Sequence, residues 1–156
     1  MGNYANLELE FIERTIRLIG QYTDMIQGLE FEDQLNYTLT INCLLGLIVM
    51  PKERVVTYIP KEPITNEFLS TIGLKSSTID DSIKNLQELI QHLRHAIAHF
   101  DIEVISVCEN NLVDFIEFKG RRKQPEVIAR FAAPEIYSFL QHYAQVLCEN
   151  LRKHHE

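Results

Sequence analysis

The sequence predicts a mainly α-helical protein: an antiparallel bundle of four main helices with a small antiparallel β-meander between the last two. Two observations carry this. From Ile79 through Ile83, Leu86, Ile90, Leu93 and Ile97 to Phe100, apolar positions recur at alternating spacings of four and three, the pattern of one buried helix stripe. The period then changes. EVISVC and LVDFIEFK flank Glu109-Asn110-Asn111, β-branched and aromatic runs on either side of turn formers, which predicts a hairpin. VIARF at 127–131 supplies a third strand.

The remaining elements follow in order. Over residues 5–28, Ile12, Ile16, Ile19, Tyr22 and Ile26 mark an amphipathic helix that Gly28 ends. Glu10 with Arg14 and Glu13 with Arg17 stand one turn apart, acid first, the favourable order for surface pairs. Asp33 caps a second, richly apolar helix running to about Val49 and stopped by Pro51. Residues 51–77 hold Pro51, Pro60, Pro63 and Ser76-Ser77, with a short helix around Asn66–Ile72; loops of this length usually have a function or cover something. The third helix starts at Thr78, which forms a capping-box pattern with Asp81, while Asp80 and Asp81 suit the positive end of the helix dipole. Pro134 opens a last helix with Ile136, Phe139, Leu140, Tyr143, Leu147 and Leu151 on one face.

Composition narrows the class. A chain of 156 residues fits a single domain over 1–156, and 46% hydrophobic with 24% charged residues is a globular composition. The longest apolar run, residues 43–50, is far short of a bilayer span, and no signal peptide is recognisable. Cys43, Cys108 and Cys148 are widely separated and form no CxxC pattern, which suits reduced thiols in a cytoplasmic protein; the Asn36-Tyr37-Thr38 acceptor triplet then has no meaning. A net charge of −7 argues against broad binding of nucleic acid through a basic surface. The one basic cluster is the Arg121-Arg122-Lys123 loop, with Arg130 as a further local cation.

The unusual stretch is LRHAIAHFDI at 93–102. On a wheel at about 100° per residue, His92, His95 and His99 fall within about 60° of one another, opposite a stripe centred between Leu93 and Ile97. Ala96 and Ala98 flank them, small enough for another backbone to approach. Arg94 stands at the edge of the stripe, about 140° from His99. Three readings stay open. Solvated helix faces are usually written with Lys, Glu and Gln rather than three histidines. A metal ion needs more than the His95–His99 pair, since His92 and His99 lie about 10 Å apart and no HExxH, Cys/His or paired-carboxylate motif accompanies them. An interface or catalytic face uses imidazoles as acid or base near neutral pH.

Arg94-His-Ala-Ile-Ala-His99 is an RxxxxH motif near the C-terminal end of a long helix. Together with NYTLTINCLLGLIVMPKER and the strands after the motif, it resembles the HEPN superfamily (higher eukaryotes and prokaryotes nucleotide-binding), in particular its small stand-alone plasmid-type families. The resemblance covers most of residues 5–154. It implies a homodimer whose motif helices meet through the Arg94–His99 face, and a metal-independent endoribonuclease without a cofactor, often a toxin or defence component paired with an antitoxin protein. The RNA 2′-hydroxyl would attack the adjacent phosphate to leave a 2′,3′-cyclic phosphate. His99 would act as general base or acid, Arg94 would hold the phosphate, His95 would orient or hydrogen-bond, and Arg121, Arg122 and Lys123 would contact the RNA. Apart from the resemblance, lying across the motif cleft is a role that suits the long 51–77 loop. Some HEPN domains serve binding alone, so a non-catalytic binding or interaction module is the alternative, favoured by the net acidity and by the lack of a recognisable aromatic stacking platform. Among other polar residues, Asn42 is expected as a satisfied core group, Cys43 as a small buried hydrophobe and His142 as structural.

Overall fold

The computed structural model describes residues 3–30, 33–51, 56–57, 59–107, 113–120 and 126–153. In chain order these form α1 (Leu7–Met25), α2 (Asn36–Val49), a short α3 (Asn66–Thr71), β1 (Thr78–Ile79), α4 (Leu86–Ala98), β2 (Ile102–Ile105), β3 (Phe115–Lys119), β4 (Val127–Ala132), a 3-10 turn (Ala133–Glu135) and α5 (Ile136–Lys153). The protein is mainly α, with one small antiparallel sheet among the described residues in the order β1-β4-β3-β2. None of the described helices is long and apolar enough to cross a membrane.

Helix α1 begins where Asn6 accepts a hydrogen bond from the Leu9 amide, and Glu10 reaches back to the Ala5 and Asn6 amides just before the helix, a reciprocal cap. Glu10 pairs with Arg14, whereas Glu13 pairs across the fold with Arg152 of α5 at 2.7 Å rather than with Arg17. Helix α2 starts at Asn36 with Leu35 in the cap position and no side-chain cap, two residues later than a cap at Asp33 would place it. Its core face is Cys43, Leu44, Leu47 and Ile48; Asn42 is exposed rather than buried. Helix α1 packs on α2 and α5, and α2 also packs on α4 and α5.

The largest departure from the sequence pattern lies before α4. Thr78 and Ile79 form a strand opposite Arg130 and Ala129 of β4, and α4 starts only at Leu86, capped by Asn85 accepting from the Glu88 amide at 2.9 Å. Thr78 is therefore not a helix cap. A Thr followed by Asp three residues on fits a cap and a strand end equally, and β4 decides between them. The hairpin strands fall at β2 and β3, while the predicted turn at 109–111 lies outside the described residues.

The described part of the 51–77 segment fills space beside the first half of α4. Pro51, Val56 and Ile59 are buried, Gln87 Nε2 donates to the carbonyls of Val56 and Thr57, and the Leu86 amide donates to Glu62. Gln87 lies about 18 Å along the helix from His99 at 1.5 Å per residue. The described residues from Val56 onward thus close the core at the N-terminal end of α4, whereas Pro51, at the start of the segment, lies beside Arg94 near the other end.

Its C-terminal end is tied down by Glu135. That carboxylate accepts from the amides of Ser76 (2.8 Å) and Ser77 (3.0 Å) and from the Ser77 hydroxyl (2.8 Å), and the same hydroxyl accepts from the Ala132 amide. Burial pushes the carboxyl up, but the hydrogen bonds from Ser77, Ser76 and Lys75 outweigh it and hold it below the ordinary glutamate value. The unfolded chain therefore takes up the proton first on acidification. The contribution is full at neutral pH, begins to fade near about 4.3 and is lost as pH falls through the lower folded value. Glu135→Gln is expected to cost about 1–2 kcal/mol at pH 7, and urea midpoints of the two proteins should converge only as pH falls below about 4.

Gly73 ends α3 with φ of +81°, and a Cβ there would stand 2.6 Å from Ser138 Cβ on α5. Gly73→Ala adds a left-handed backbone penalty to that clash, for an expected loss of about 2–4 kcal/mol in thermal or denaturant unfolding. An aromatic chain joins sheet to helices. Phe118 meets Phe131 edge-on at 5.8 Å, Phe131 lies 4.9 Å from Phe139, and Phe139 stacks on Tyr143 at 6.2 Å. This layer holds the buried face of α4 (Leu86, Leu89, Ile90, Leu93 and Ala96) and so fixes which face the helix turns outward.

Candidate functional site

That outward face carries His95 and His99. Both are exposed, and their rings meet edge-on with centroids 4.4 Å apart and planes at 68°. One helical turn of separation brings the two rings together. His92 is only half-exposed and lies nearer the core, and Ala96 is fully buried; of the two alanines expected beside the histidines, Ala98 alone faces outward. Among the described residues, no three His, Cys, Asp or Glu side chains converge in an arrangement able to hold a metal ion.

Helix α4 ends in a Schellman motif. His99 is the C-cap, the Phe100 amide donates to the Ile97 carbonyl at 3.1 Å, and the Asp101 amide donates to the Ala96 carbonyl at 2.8 Å. Phe100 takes the left-handed position with φ of 58° and is 83% exposed. The apolar stripe of α4 thus stops at Ile97, and Phe100, which the spacing assigned to it, lies outside both helix and core.

Arg94 leaves the helix on the flank that faces α2. Its Nη1 donates to the carbonyls of Ile48 (2.8 Å), Val49 (3.2 Å) and Pro51 (2.9 Å), acceptors that the end of α2 leaves unsatisfied. A cationic fork at a helix C-terminus also complements the helix dipole. Beside it lies a cleft of about 310 Å³ lined by Val49, Gln91, Arg94, His95 and Ala98. Arg94 and His95 therefore share one opening, and His99 touches His95 at its rim. Below, the fully buried Tyr143 from α5 is within electrostatic reach of Arg94: burial pushes its hydroxyl up and the guanidinium charge pulls the other way. Its apolar neighbours on the helix face gave no sign of that proximity.

Arg121, Arg122 and Lys123 lie outside the described residues, but the base of their loop does not. The Lys119 amide donates to the Asp101 carbonyl at 2.8 Å, and the Gly120 amide donates to Glu126 at 3.0 Å. The basic loop therefore springs from a point bonded to the chain two residues beyond His99. Arg130 is committed within the sheet, 3.5 Å from Glu117 directly across β3 and 4.1 Å over the Phe115 ring. Cys43 and Cys148 are buried, and burial raises both thiols above the ordinary value. His142 meets Phe68 edge-on at 5.7 Å, and burial lowers its imidazole against the opposing charges of Glu62 and Glu149. All three residues fit structural roles.

The chain is mainly helical and carries Arg94 and His99 five residues apart, an RxxxxH pattern, at the end of a core helix. The family described as HEPN pEK499 p136 matches residues 1–154, and the chain belongs to it. A search of curated proteins and of solved structures found no match.

Proposed function

We propose that the protein is a HEPN-type, metal-independent endoribonuclease that acts in the cytoplasm as a homodimer joined through the Arg94–His99 face, as a toxin or defence component restrained by an antitoxin protein. The observation that carries this reading is the exposed His95–His99 ring pair at the rim of the cleft that Arg94 lines, in a chain of this family. In the reaction, a ribose 2′-oxygen forms a bond to the adjacent phosphorus, and the bond from phosphorus to the 5′-oxygen of the next nucleotide breaks. The 2′-hydroxyl proton passes to a general base and the departing 5′-oxygen receives a proton from a general acid. The products are a 2′,3′-cyclic phosphate and a 5′-hydroxyl. His99 fills one of these two roles, His95 orients it by ring contact or hydrogen bonding, and the charged fork of Arg94 stabilises the phosphate as its charge develops. Arg121, Arg122 and Lys123 hold flanking phosphates, supported by the anchoring of their loop beside Asp101.

The test is incubation of the purified protein with total RNA in EDTA, with cleaved ends analysed for 2′,3′-cyclic phosphate. Cleavage that needs His99 supports the reading; identical behaviour of wild type and His99→Ala, with no new ends, removes it. A second reading, a non-catalytic binding module, is favoured by one observation: the Nη1 of Arg94 already serves the last two carbonyls of α2 and that of Pro51 just beyond it. Under that reading the arginine holds the end of α2 in place, and expression of the protein leaves growth unaffected. Growth arrest that depends on Arg94 speaks for the nuclease.

A further inference from the structure

Phe100 is the one described residue other than glycine with a positive φ, and at 83% it has the highest exposure among the described large apolar side chains. The two facts do not explain each other. The Schellman bonds it closes are made by backbone amides, and glycine would form them without the steric penalty of a Cβ in left-handed geometry. Nor does the ring gain packing that would offset the strain, since most of it stands in solvent. A bulky aromatic held in a penalised conformation where neither folding nor packing asks for it is the kind of outlier that accompanies function.

The place of the strain indicates its use. Phe100 follows His99 directly, and consecutive Cα atoms are about 3.8 Å apart. In the ribonuclease reading, on which this inference rests, His99 works at a ribose–phosphate junction, and the nucleobases hang from the riboses at that junction. We infer that Phe100 is the base-stacking residue of the site, receiving the face of an unpaired nucleobase next to the scissile phosphate. The left-handed turn takes its Cα off the helix track, so the side chain is not laid back along α4 like those before it. Stacking also answers a difficulty posed by the net charge of −7. Affinity gained on an aromatic face needs no excess of cations and accepts any base.

The test uses short single-stranded RNA of mixed sequence carrying 2′-O-methyl groups, which binds but lacks the attacking hydroxyl. The chain contains no tryptophan, so Phe100→Trp introduces its only indole, whose emission reports stacking directly. Phe100→Trp is expected to bind like wild type with quenched emission. Phe100→Leu and Phe100→Gly are expected to weaken binding at least tenfold, although Phe100→Gly should unfold at a higher temperature because the strain is relieved. Equal binding by wild type, Phe100→Leu and Phe100→Gly overturns the inference, as does an unquenched indole or failure of wild type to bind the probe. A loss of dimer mass in Phe100→Leu or Phe100→Gly also overturns it, by assigning the ring to a protein contact. Phe100-dependent binding without cleavage of unmodified RNA leaves the stacking role standing and removes only the nuclease.

Discussion

Replacing His99 with alanine is expected to lower RNA cleavage by about 10²–10⁴-fold, the contribution typical of a positioned acid or base. His99 is exposed, and its cap hydrogen bonds to His95 and Ile97 are made by its amide, so the substitution leaves them intact. Surface changes of this kind usually stay within about 0.5 kcal/mol. The pairing of lost activity with an unchanged melting temperature is what separates a chemical role from a structural one. His95→Ala should have a smaller effect on cleavage, because it removes the ring that orients His99 rather than the ring that moves the proton. Rates on an end-labelled RNA in EDTA, beside thermal melts of the same preparations, check both expectations. If His99→Ala cuts as fast as wild type, the assignment of the acid–base role is wrong.

Arg94 is expected to behave differently, since its side chain is needed twice. Arg94→Ala strips three carbonyls at the end of α2 of their donor. Hydrogen bonds to a charged group contribute about 1.5–3 kcal/mol, so the melting temperature should drop by roughly 5–10 °C. Cleavage should fall by about 10²–10³-fold, as when a donor to a developing oxyanion is removed. Arg94→Lys separates the two roles. An ammonium can still reach the α2 carbonyls and should restore much of the stability, but it cannot present a planar fork to phosphate. The lysine variant is therefore expected to melt near wild type and to cleave nearly as poorly as the alanine variant. Wild-type cleavage by Arg94→Lys would leave the arginine with its structural role alone.

The stretches where the sequence could be read correctly are those where one local pattern dominates. The stripes of α1 and α5, the stop at Pro51, the short helix after Thr65 and the strands around Ile116 and Phe131 are all written in periodicity and punctuation. The errors share a cause. Thr78 and Asp81 have the spacing of a capping box, yet Thr78 sits opposite Arg130, a partner 52 positions away that no local pattern announces. Asn42 was expected inside because α2 is apolar almost throughout, but its own face is turned to solvent. Ala96 lies near the edge of the predicted stripe, and the packing of α2 and the sheet against α4 brings it into the core.

For the candidate site, sequence alone placed Arg94, His95 and His99 at the end of one helix and showed that a straight helix does not bring the arginine and the last histidine onto one face. Side-chain spacing along a helix is set by 3.6 residues per turn and needs no tertiary information. Sequence likewise carried the family resemblance, because the motif and its flanking segments are local text. Where the arginine points was settled only by tertiary structure. The end of α2 arrives beside α4 with unsatisfied carbonyls, and a long cation bends to whatever acceptors the fold delivers. Tertiary structure alone also expelled Phe100 from the stripe. A regular four-and-three spacing cannot say where a helix stops, whereas the Ala96 carbonyl accepting the Asp101 amide, held in turn by β3 through Lys119, ends it at His99 and leaves the aromatic ring in solvent.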